Sequence, residues 1–498
     1  MSETRVTLEE ILEALEREEL LAWRPEIEGK EVRVMGVTTD SRKVEEGSVF
    51  CAFRGTDADG HAFLADAARA GASGAVVEHA SDEVSLPQIV VHDGRRAAGV
   101  VAAAFYGEPW KEVRTVAVTG TNGKTTTVFL LRHLLSTDAP AASIGTLGVI
   151  GSDGAQVPGT FGLTTPGPVE TARWLRGFAD EGVRWAAMEV SSHALDQRRT
   201  GEARFAAVAL TNLSRDHLDY HRTFEAYREA KLRIIDLCEP EGVVAVNADE
   251  EAWEGIDPGD RRLVRYGTDR SADVRAEDLE TSMEGSSFTL RIGDERAPVQ
   301  LSLIGRHNVI NALTAAGIAH GLGWEASRIA GALEALPQVP GRLERLAGGE
   351  GVPTVLCDYA HTPDAMVNVL RAVRSVVSGK VWLVFGATGD RDPGKRPEMG
   401  RVAVEEADFP ILSMDNPRSE DPERIADAVE EGMGEAPHLR MLDRAQAIRH
   451  AVLSAAPEDA IVLAGKGHER YQDIKGKKHY FVEAEFVAEA VAERRGER

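Results

Sequence analysis

Cysteine is scarce here: Cys51, Cys238 and Cys357 are the only three in 498 residues, and they are widely spaced. An odd, scattered set offers neither a disulfide framework nor a thiolate metal site, and it suits a reducing cytoplasm. No apolar run approaches the ~20 residues that a membrane-spanning helix needs. The start, Met-Ser-Glu-Thr-Arg, lacks the basic-then-apolar layout of a secretory signal. There are no internal repeats and no low-complexity tract. Positive charge is in deficit: 57 basic against 81 acidic residues give a formal net charge of −24. Such a surface repels nucleic acid and anionic membranes, so the expected partners are small molecules, and anionic ones need local basic pockets.

What is present fits a globular chain with several cores. Hydrophobic residues make up 43%, and at ~150 residues per domain the length suggests roughly three. One stretch organises the rest. From Val116 to Gly120 runs an apolar β-branched segment. The turn Thr121-Asn122-Gly123 follows, and Lys124, Thr125, Thr126 and Thr127 open a helical segment over Val128 to Leu135. This is strand, phosphate loop, helix. Gly120 and Gly123 let backbone N–H groups approach a phosphate, and the helix N-terminus adds partial positive charge. In such a loop the lysine reaches the β/γ-phosphates and the following hydroxyl ligates Mg²⁺. The loop reads G-x-x-G-K-T, with Val118 where the commoner signature has its first glycine. The plain alternative is a glycine turn before a helix.

Residues 1–110 read as a small α/β domain. Thr7 to Leu21 has helical spacing, and a turn of Asp40, Ser41 and Arg42 precedes an alternating strand. Ser41 and Arg42 either hold a polar ligand or belong to a capping turn. Glu108-Pro109-Trp110 marks a boundary. Residues 111–340 alternate strand and helix around the loop. Thr164 and Thr165 offer hydroxyls in a turn ahead of a helix over Val169 to Phe178. The apolar strand from Trp185 ends in Glu189, which is either a magnesium ligand or a surface carboxylate. Ser191, Gln197 and Arg199 follow it. Beyond the strand from Phe205, the run Asp216-His217-Leu218-Asp219-Tyr220-His221 signals a metal or phosphate site, or else a polar loop with a cap. By pattern alone Lys231, in a helix over Phe224 to Leu237, is a solvated lysine. Asn308 and Asn311, one helical turn apart, share a face able to read an adenine edge or to cap.

Residues 341–498 alternate again: Val355 to Asp358, Ala365 to Val377, Val381 to Phe385, Arg396 to Glu405, Pro410 to Met414, Arg424 to Met433, Arg444 to Ala455 and Ile461 to Ala464. That predicts a parallel sheet covered by helices, Rossmann-like in outline, with ligand groups at the carboxyl ends of the strands. Polar clusters fall there: Asp358 to Asp364, Gly389 to Asp392, Asp415-Asn416-Pro417-Arg418, and Gly465 to Glu469. They mix arginine with carboxylates, as a zwitterionic ligand requires.

Taken in order, Gly120 to Thr125, Glu189 to His193, Asn212 to His221, Asp358 to Asp364 and Asp415 to Arg418 make the whole chain resemble the Mur ligases. Within them it resembles the branch that adds meso-2,6-diaminopimelate to UDP-N-acetylmuramoyl-L-alanyl-D-glutamate during peptidoglycan precursor synthesis. The resemblance implies an α/β chain of three domains: an N-terminal uridine-diphosphate-binding domain, a central P-loop, ATPase-like domain, and a C-terminal Rossmann-like, amino-acid-binding domain. It implies ATP as co-substrate, an acyl-phosphate route, a monomer and a cytoplasmic location. Gly120, Thr121, Asn122, Gly123, Lys124, Thr125 and Thr126 would hold the ATP phosphates, with Asn308, Asn311, Arg342 and Asp358 toward the nucleoside. Thr125 and Glu189 would hold one Mg²⁺, and His217 with a carbamylated Lys231 a second, with Lys124, His217 and Lys231 as the catalytic set. Thr39, Ser41, Thr56, Asp57 and Ala58 would hold the uridine diphosphate, and Thr164, Thr165, Ser191, Gln197 and Arg199 the muramoyl dipeptide. Arg391, Asp415, Asn416, Pro417, Arg418, Gly465 and Glu469 would hold diaminopimelate. Its far carboxylate suits Arg418, which lysine would leave unpaired. The rivals are a lysine-adding ligase, a folylpolyglutamate synthetase relative, and a P-loop ATP-binding regulator that ligates nothing.

Overall fold

A computed structural model describes residues 6–24, 32–55, 58–160 and 163–497. The chain forms two compact units, Met1–Arg275 with Leu313–Glu325, and Ala276–Ala312 with Ala326–Arg498.

In the first unit, the helix Leu8–Arg17 opens on a reciprocal cap. Thr7 Oγ1 accepts from Glu10 N–H, and the Glu10 carboxylate accepts from Thr7 N–H. The helix ends short of the expected Leu21, where Glu19 takes a positive φ of 56°. Behind it lies a sheet ordered Leu21–Trp23, Gln88–Val91, Gly74–Val77, Ser48–Cys51 and Gly36–Thr38, parallel apart from its first pair. The strand Arg114–Thr119 is flanked by parallel partners, Trp185–Glu189 on one side and Phe205–Leu210 on the other. Register sets Glu189 beside Val118, and Leu210 beside Thr119. The chain segments that follow these strands therefore emerge at one carboxyl edge. The helix Lys124–Ser136 begins earlier than the apolar spacing indicates, at the lysine itself, and buries Val128, Leu130, Leu131, Leu134 and Leu135 against the sheet. The stretch after it is a hairpin, Ala141–Gly145 paired antiparallel with Gly148–Ile150.

The second unit carries the expected sheet, ordered Glu344–Gly349, Val352–Asp358, Ala460–Ala464, Val381–Phe385, Phe409–Leu412 and Leu439–Arg440. All pairs but the first are parallel. Strand alternation divides two cores. Leu356, Leu383, Phe385, Leu412 and Val462 face the helices Pro363–Arg374, Lys395–Glu406 and Pro422–Met433. Val355, Trp382, Val384, Ile411, Ile461 and Leu463 face Arg444–Ser454 and Glu483–Arg494. Burial on both faces is why these strands read as continuous apolar runs. A buried ion pair closes the second face: Arg444 Nε donates to Glu483 Oε1 at 2.7 Å, and Cys357 Sγ donates to Glu483 Oε2 at 3.1 Å. The sequence reading assigns no strand between Leu237 and Gly305, where the structure first has Cys238–Asn247, parallel to Phe205–Leu210. The structure has Arg262–Gly267, Val274–Ser282, Gly285–Ile292 and Glu295–Leu301 there, the last two paired antiparallel with Phe288, Leu290, Ile292, Ala297, Val299 and Leu301 buried in alternation.

Cys51, Cys238 and Cys357 are free and buried. Burial pushes the Cys51 thiol up to about 12 and the Cys238 thiol up to about 11, and burial with the adjacent Glu483 carboxylate raises Cys357 as well. Since the thiolate is the reacting form, a disulfide reagent at mildly alkaline pH should find no fast-reacting thiol in the native chain and all three after denaturation. A fast native thiol would contradict this packing.

Candidate active site

At the carboxyl edge in the first unit, the phosphate loop is pressed onto the segment after Leu210. Thr121 N–H donates to Asn212 O at 2.8 Å, and Asn122 N–H to Asn212 Oδ1 at 2.9 Å. Thr211 Oγ1 donates to Asn122 O at 2.7 Å. Gly120 has a φ of +152°, and a Cβ there would overlap the Thr211 hydroxyl, so only glycine permits the approach. Lys124 Nζ donates to Gly120 O at 2.9 Å and Thr121 O at 2.8 Å. Thr125 and Thr126 are buried in the first helical turn.

Glu189 is 1% exposed, so it is no surface carboxylate. Its Oε2 accepts from Thr125 Oγ1 and Thr146 Oγ1, both at 3.0 Å, and its Oε1 from Thr146 N–H at 2.7 Å. Thr146 Oγ1 also meets Thr164 Oγ1 at 3.3 Å. Thr165 Oγ1 donates to Glu189 O at 2.9 Å and accepts from Ser191 N–H at 3.1 Å, and Ser191 caps the short helix Ser192–Asp196. Thr125 and Thr146 thus share the Glu189 carboxylate, Thr164 reaches it through Thr146, and Thr165 ties the Glu189 backbone carbonyl to Ser191. Hydroxyl and carboxylate oxygens side by side suit a hard divalent cation. Thr146 escaped the sequence reading; its signal was only a threonine just past a strand.

Lys231 corrects the pattern-based reading. It is buried to 1% exposure, with Nζ donating to Gly120 O at 2.7 Å and lying 4.5 Å from the centre of the Tyr227 ring. Burial first, then the neighbouring Lys124, lowers its pKa well below the ordinary lysine value. The helix Phe224–Leu232 is shorter than expected, and this lysine occupies its inner face. His217 has a left-handed φ of 51°, with its ring 4.7 Å from that of His193. His193 in turn lies 4.2 Å from the Tyr220 ring. Tyr220 accepts from Gln197 Nε2 at 3.1 Å, and Gln197 Oε1 accepts from Arg199 Nη2 at 2.7 Å. Burial lowers the Arg199 pKa.

In the N-terminal part of the first unit, the Asp40–Arg42 turn forms a cap. The Asp40 carboxylate accepts from Arg42 N–H and also grips the Arg42 guanidinium at 2.9 Å. Arg42 holds the Asp40 carboxyl below the usual range. Thr39 and Ser41 are half-buried beside this cap. Ala58 O accepts from Gly55 N–H at 2.8 Å, while Thr56 and Asp57 lie outside the described residues.

In the second unit, Asn308 and Asn311 are buried and joined, Asn311 Nδ2 donating to Asn308 Oδ1 at 3.2 Å. Asn308 Nδ2 donates to Ile304 O at 3.0 Å. Asp358 accepts from Leu343 N–H and Ala360 N–H, at 2.7 and 2.8 Å. Burial raises its pKa against the opposing pull of Arg342, whose guanidinium lies 5.0 Å from the Tyr359 ring centre. The loop Asp415–Arg418 is knit into its surroundings. Asn416 Nδ2 donates to Glu469 Oε2 at 2.8 Å, and Asn416 Oδ1 accepts from Asp473 N–H at 2.9 Å and from Lys466 Nζ at 3.1 Å. Arg418 N–H donates to Asp473 O at 2.9 Å, and Gly389 N–H to Asn416 O at 2.9 Å. That last bond draws the loop carrying the exposed Arg391 to the same place. Gly465 approaches Asp415 so closely that a Cβ would lie 3.0 Å from its Oδ2.

A phosphate loop backed by a carboxylate at a neighbouring strand end, with a doubly covered parallel sheet in a second unit, defines a P-loop α/β enzyme. Three family models match the chain: Mur ligase family, catalytic domain, over residues 33–106; Mur ligase middle domain over 118–319; and Mur ligase, glutamate ligase domain, over 341–467. A UDP-N-acetylmuramoyl-L-alanyl-D-glutamate–2,6-diaminopimelate ligase of Chlorobium phaeobacteroides is 39% identical over 477 residues, covering 92% of each chain. The like-named protein of Alkalilimnicola ehrlichii is 42% identical over 481 residues, covering 93% of this chain and 96% of its own. The solved structure of an enzyme of that name superposes with a TM-score of 0.69 at 32% identity over 99% of both chains. MurF ligase from Thermotoga maritima in complex with ADP shares the fold, at a TM-score of 0.61 and 19% identity, over 93% of this chain and 98% of that one. The chain belongs to the Mur ligase family.

Gly145 tests the carboxylate's placement. A Cβ there would collide with the Glu189 carboxyl group. Gly145→Ala should therefore cut ATP-dependent turnover by about tenfold or more while the protein stays folded. Melting temperature and kcat, measured on one preparation, check this. Unchanged turnover would mean that the position of Glu189 is not limiting.

Proposed function

We propose that this chain joins meso-2,6-diaminopimelate to the D-glutamate γ-carboxylate of UDP-N-acetylmuramoyl-L-alanyl-D-glutamate, at the expense of ATP. It is an ATP-dependent acid–amino-acid ligase of the EC 6.3.2 type, acting on small molecules in the building of cell-wall peptidoglycan. The observation that carries the choice of amine is the intact loop Asp415-Asn416-Pro417-Arg418, hydrogen-bonded to Glu469. An arginine and a carboxylate on one scaffold answer the carboxylate and ammonium at the far end of diaminopimelate. Lysine, without that carboxylate, would leave Arg418 uncompensated. Among the described residues no helix is long and apolar enough to cross a membrane, and a cytoplasmic monomer is the state we assign.

The domain limits we assign are 1–110 for the nucleotide sugar, 111–340 for ATP and 341–498 for the amino acid. The γ-carboxylate attacks the γ-phosphorus of ATP, ADP departs, and an acyl phosphate forms. The incoming amine attacks the acyl carbon, and the tetrahedral adduct expels phosphate. Carboxylate and triphosphate repel, so the first step needs positive charge at the meeting point. Lys124 supplies it, and the loop Gly120 to Thr126 holds the phosphates, with the N–H groups from Gly123 to Thr126 at the helix start turned toward them. Thr125 and Glu189 fit Mg²⁺, which would supply further charge neutralisation when bound. Lys231, buried and with its pKa lowered by that burial, is suited to react with carbon dioxide: the uncharged amine adds to the carbon and loses a proton, leaving a carbamate. That anion, with His217, makes a second hard-oxygen and imidazole pair for a cation. Thr164, Thr165, Ser191, Gln197 and Arg199 hold the dipeptide, while Thr39, Ser41 and the turn through Thr56, Asp57 and Ala58 hold the uridine diphosphate. Asn308, Asn311, Arg342 and Asp358 are assigned to the nucleoside, and Arg391, Asp415 to Arg418, Gly465 and Glu469 to diaminopimelate.

The test is one incubation with two amines. Purified protein, Mg-ATP and the UDP-muramoyl dipeptide are mixed with meso-diaminopimelate or with L-lysine, and product mass is recorded. Product with diaminopimelate alone is expected. Product with lysine would discard the specificity, and ATP hydrolysis independent of any amine would favour a non-ligating P-loop protein. A companion variant, Arg418→Ala, should raise the diaminopimelate KM by about tenfold or more and leave the ATP KM within about twofold. Equal effects on both would sink the assignment of Arg418.

A further inference from the structure

Lys466 is the most deeply buried cation near the proposed amine pocket, and no role has so far been given to it. Its side chain is 0% exposed. Nζ lies 3.1 Å from Asn416 Oδ1, 3.2 Å from Glu469 Oε2 and 3.5 Å from Asp415 Oδ1, and the Tyr471 ring centre is 5.8 Å away. Every one of the first three partners belongs to the set assigned to the amino acid. The backbone drives the side chain inward: Gly465 and Gly467, on either side, have φ of +116° and +53°. A Cβ on Gly467 would lie 2.8 Å from Tyr359 Cβ.

Burying an ammonium costs several kcal/mol unless its partners compensate it. A structural requirement alone would be met by an apolar side chain of the same length, so the charge needs a reason. Charge counting gives one. Asp415 and Glu469 are carboxylates within reach of one ammonium; with Lys466 they carry one net negative charge, and without it two. The far end of the amino acid brings one ammonium for that single charge and one carboxylate for Arg418. Lys466 also fixes geometry. It and Asn416 Nδ2 both donate to Glu469 Oε2, so the carboxylate is held by two donors before any substrate arrives.

We propose that Lys466 is a positioning residue for the incoming amino acid, orienting Asn416 and Glu469 and offsetting one of the two carboxylates so that the pocket is matched to a zwitterion. The proposal rests on the ligase reading above. Its test is Lys466→Met in the full chain, with melting temperature, kcat and both KM values measured beside the wild type. The diaminopimelate KM should rise by about tenfold or more, with the ATP KM within about twofold. The double variant Lys466→Met with Asp415→Asn, which removes one carboxylate together with the ammonium, should recover at least part of that loss. Lys466→Gln, an uncharged donor of similar reach, supplies the same comparison if the methionine variant does not fold. An unchanged diaminopimelate KM, equal rises in both KM values, or no recovery in the double variant would overturn the positioning role while leaving the ligase reading intact. A wild-type protein that makes no product with diaminopimelate would overturn both.

Discussion

A carboxylate taken out of water must be given hydrogen bonds, and much of the first unit can be understood from that requirement at Glu189. Three donors reach it from two places: Thr125 at the start of the helix after the phosphate loop, and Thr146 beyond the strand Ala141–Gly145. They converge only because the strand Trp185–Glu189 lies between the strands that lead to them, in parallel register with both. Gly145 lacks the side chain that would occupy the carboxylate's space. The position of the phosphate loop, the order of the strands and the residue at 145 are thus one solution to one electrostatic problem.

The second unit solves a related problem differently. The inner strands of its parallel sheet are buried on both faces, so their polar neighbours collect at the strand ends. Asp358, the loop Asp415–Arg418 and the Gly465–Glu469 segment all follow such ends. There the acidic chain concentrates lysine and arginine against carboxylates, although its surface as a whole carries an excess of negative charge. Behind them, Arg444 Nη2 donates to Ala464 O at 2.9 Å, and Cys357 Sγ lies 3.2 Å from Gly467 O. The rear of the loop is therefore anchored to the final helix through Glu483.

Most of the fold is legible in the sequence. Apolar runs bounded by glycine and polar clusters gave the parallel strands, because burial on both faces leaves that imprint. The phosphate loop was readable from Gly120, Gly123, Lys124 and Thr125, since few other sequences bring a strand, two glycines and a lysine together in that order. Lys231 was misread by pattern because helical spacing tells which face a residue takes, and says nothing of what a neighbouring loop lays over it. Here the Gly120 carbonyl covers that face. Thr146 was overlooked because its function arises from a partner, Glu189, that is distant in sequence. The strands from Arg262 to Leu301 were overlooked for a weaker reason. Their alternation is plain at Phe288, Leu290 and Ile292, but the surrounding charge diluted it.

Two asparagines in these loops will age differently. Asparagine deamidates when the next residue's backbone nitrogen attacks the side-chain amide and closes a succinimide ring. Asn416 is followed by Pro417, which has no N–H to attack with. The amide that joins Lys466, Asp473 and Glu469 is thereby shielded from the commonest spontaneous damage to its kind. Asn122 is followed by Gly123, the least hindered neighbour possible. Conversion there would place a carboxylate in the loop we assign to the ATP phosphates. Over the lifetime of a protein molecule, the loop Asp415–Arg418 is protected from this reaction, and the loop Gly120–Thr126 carries the asparagine most open to it.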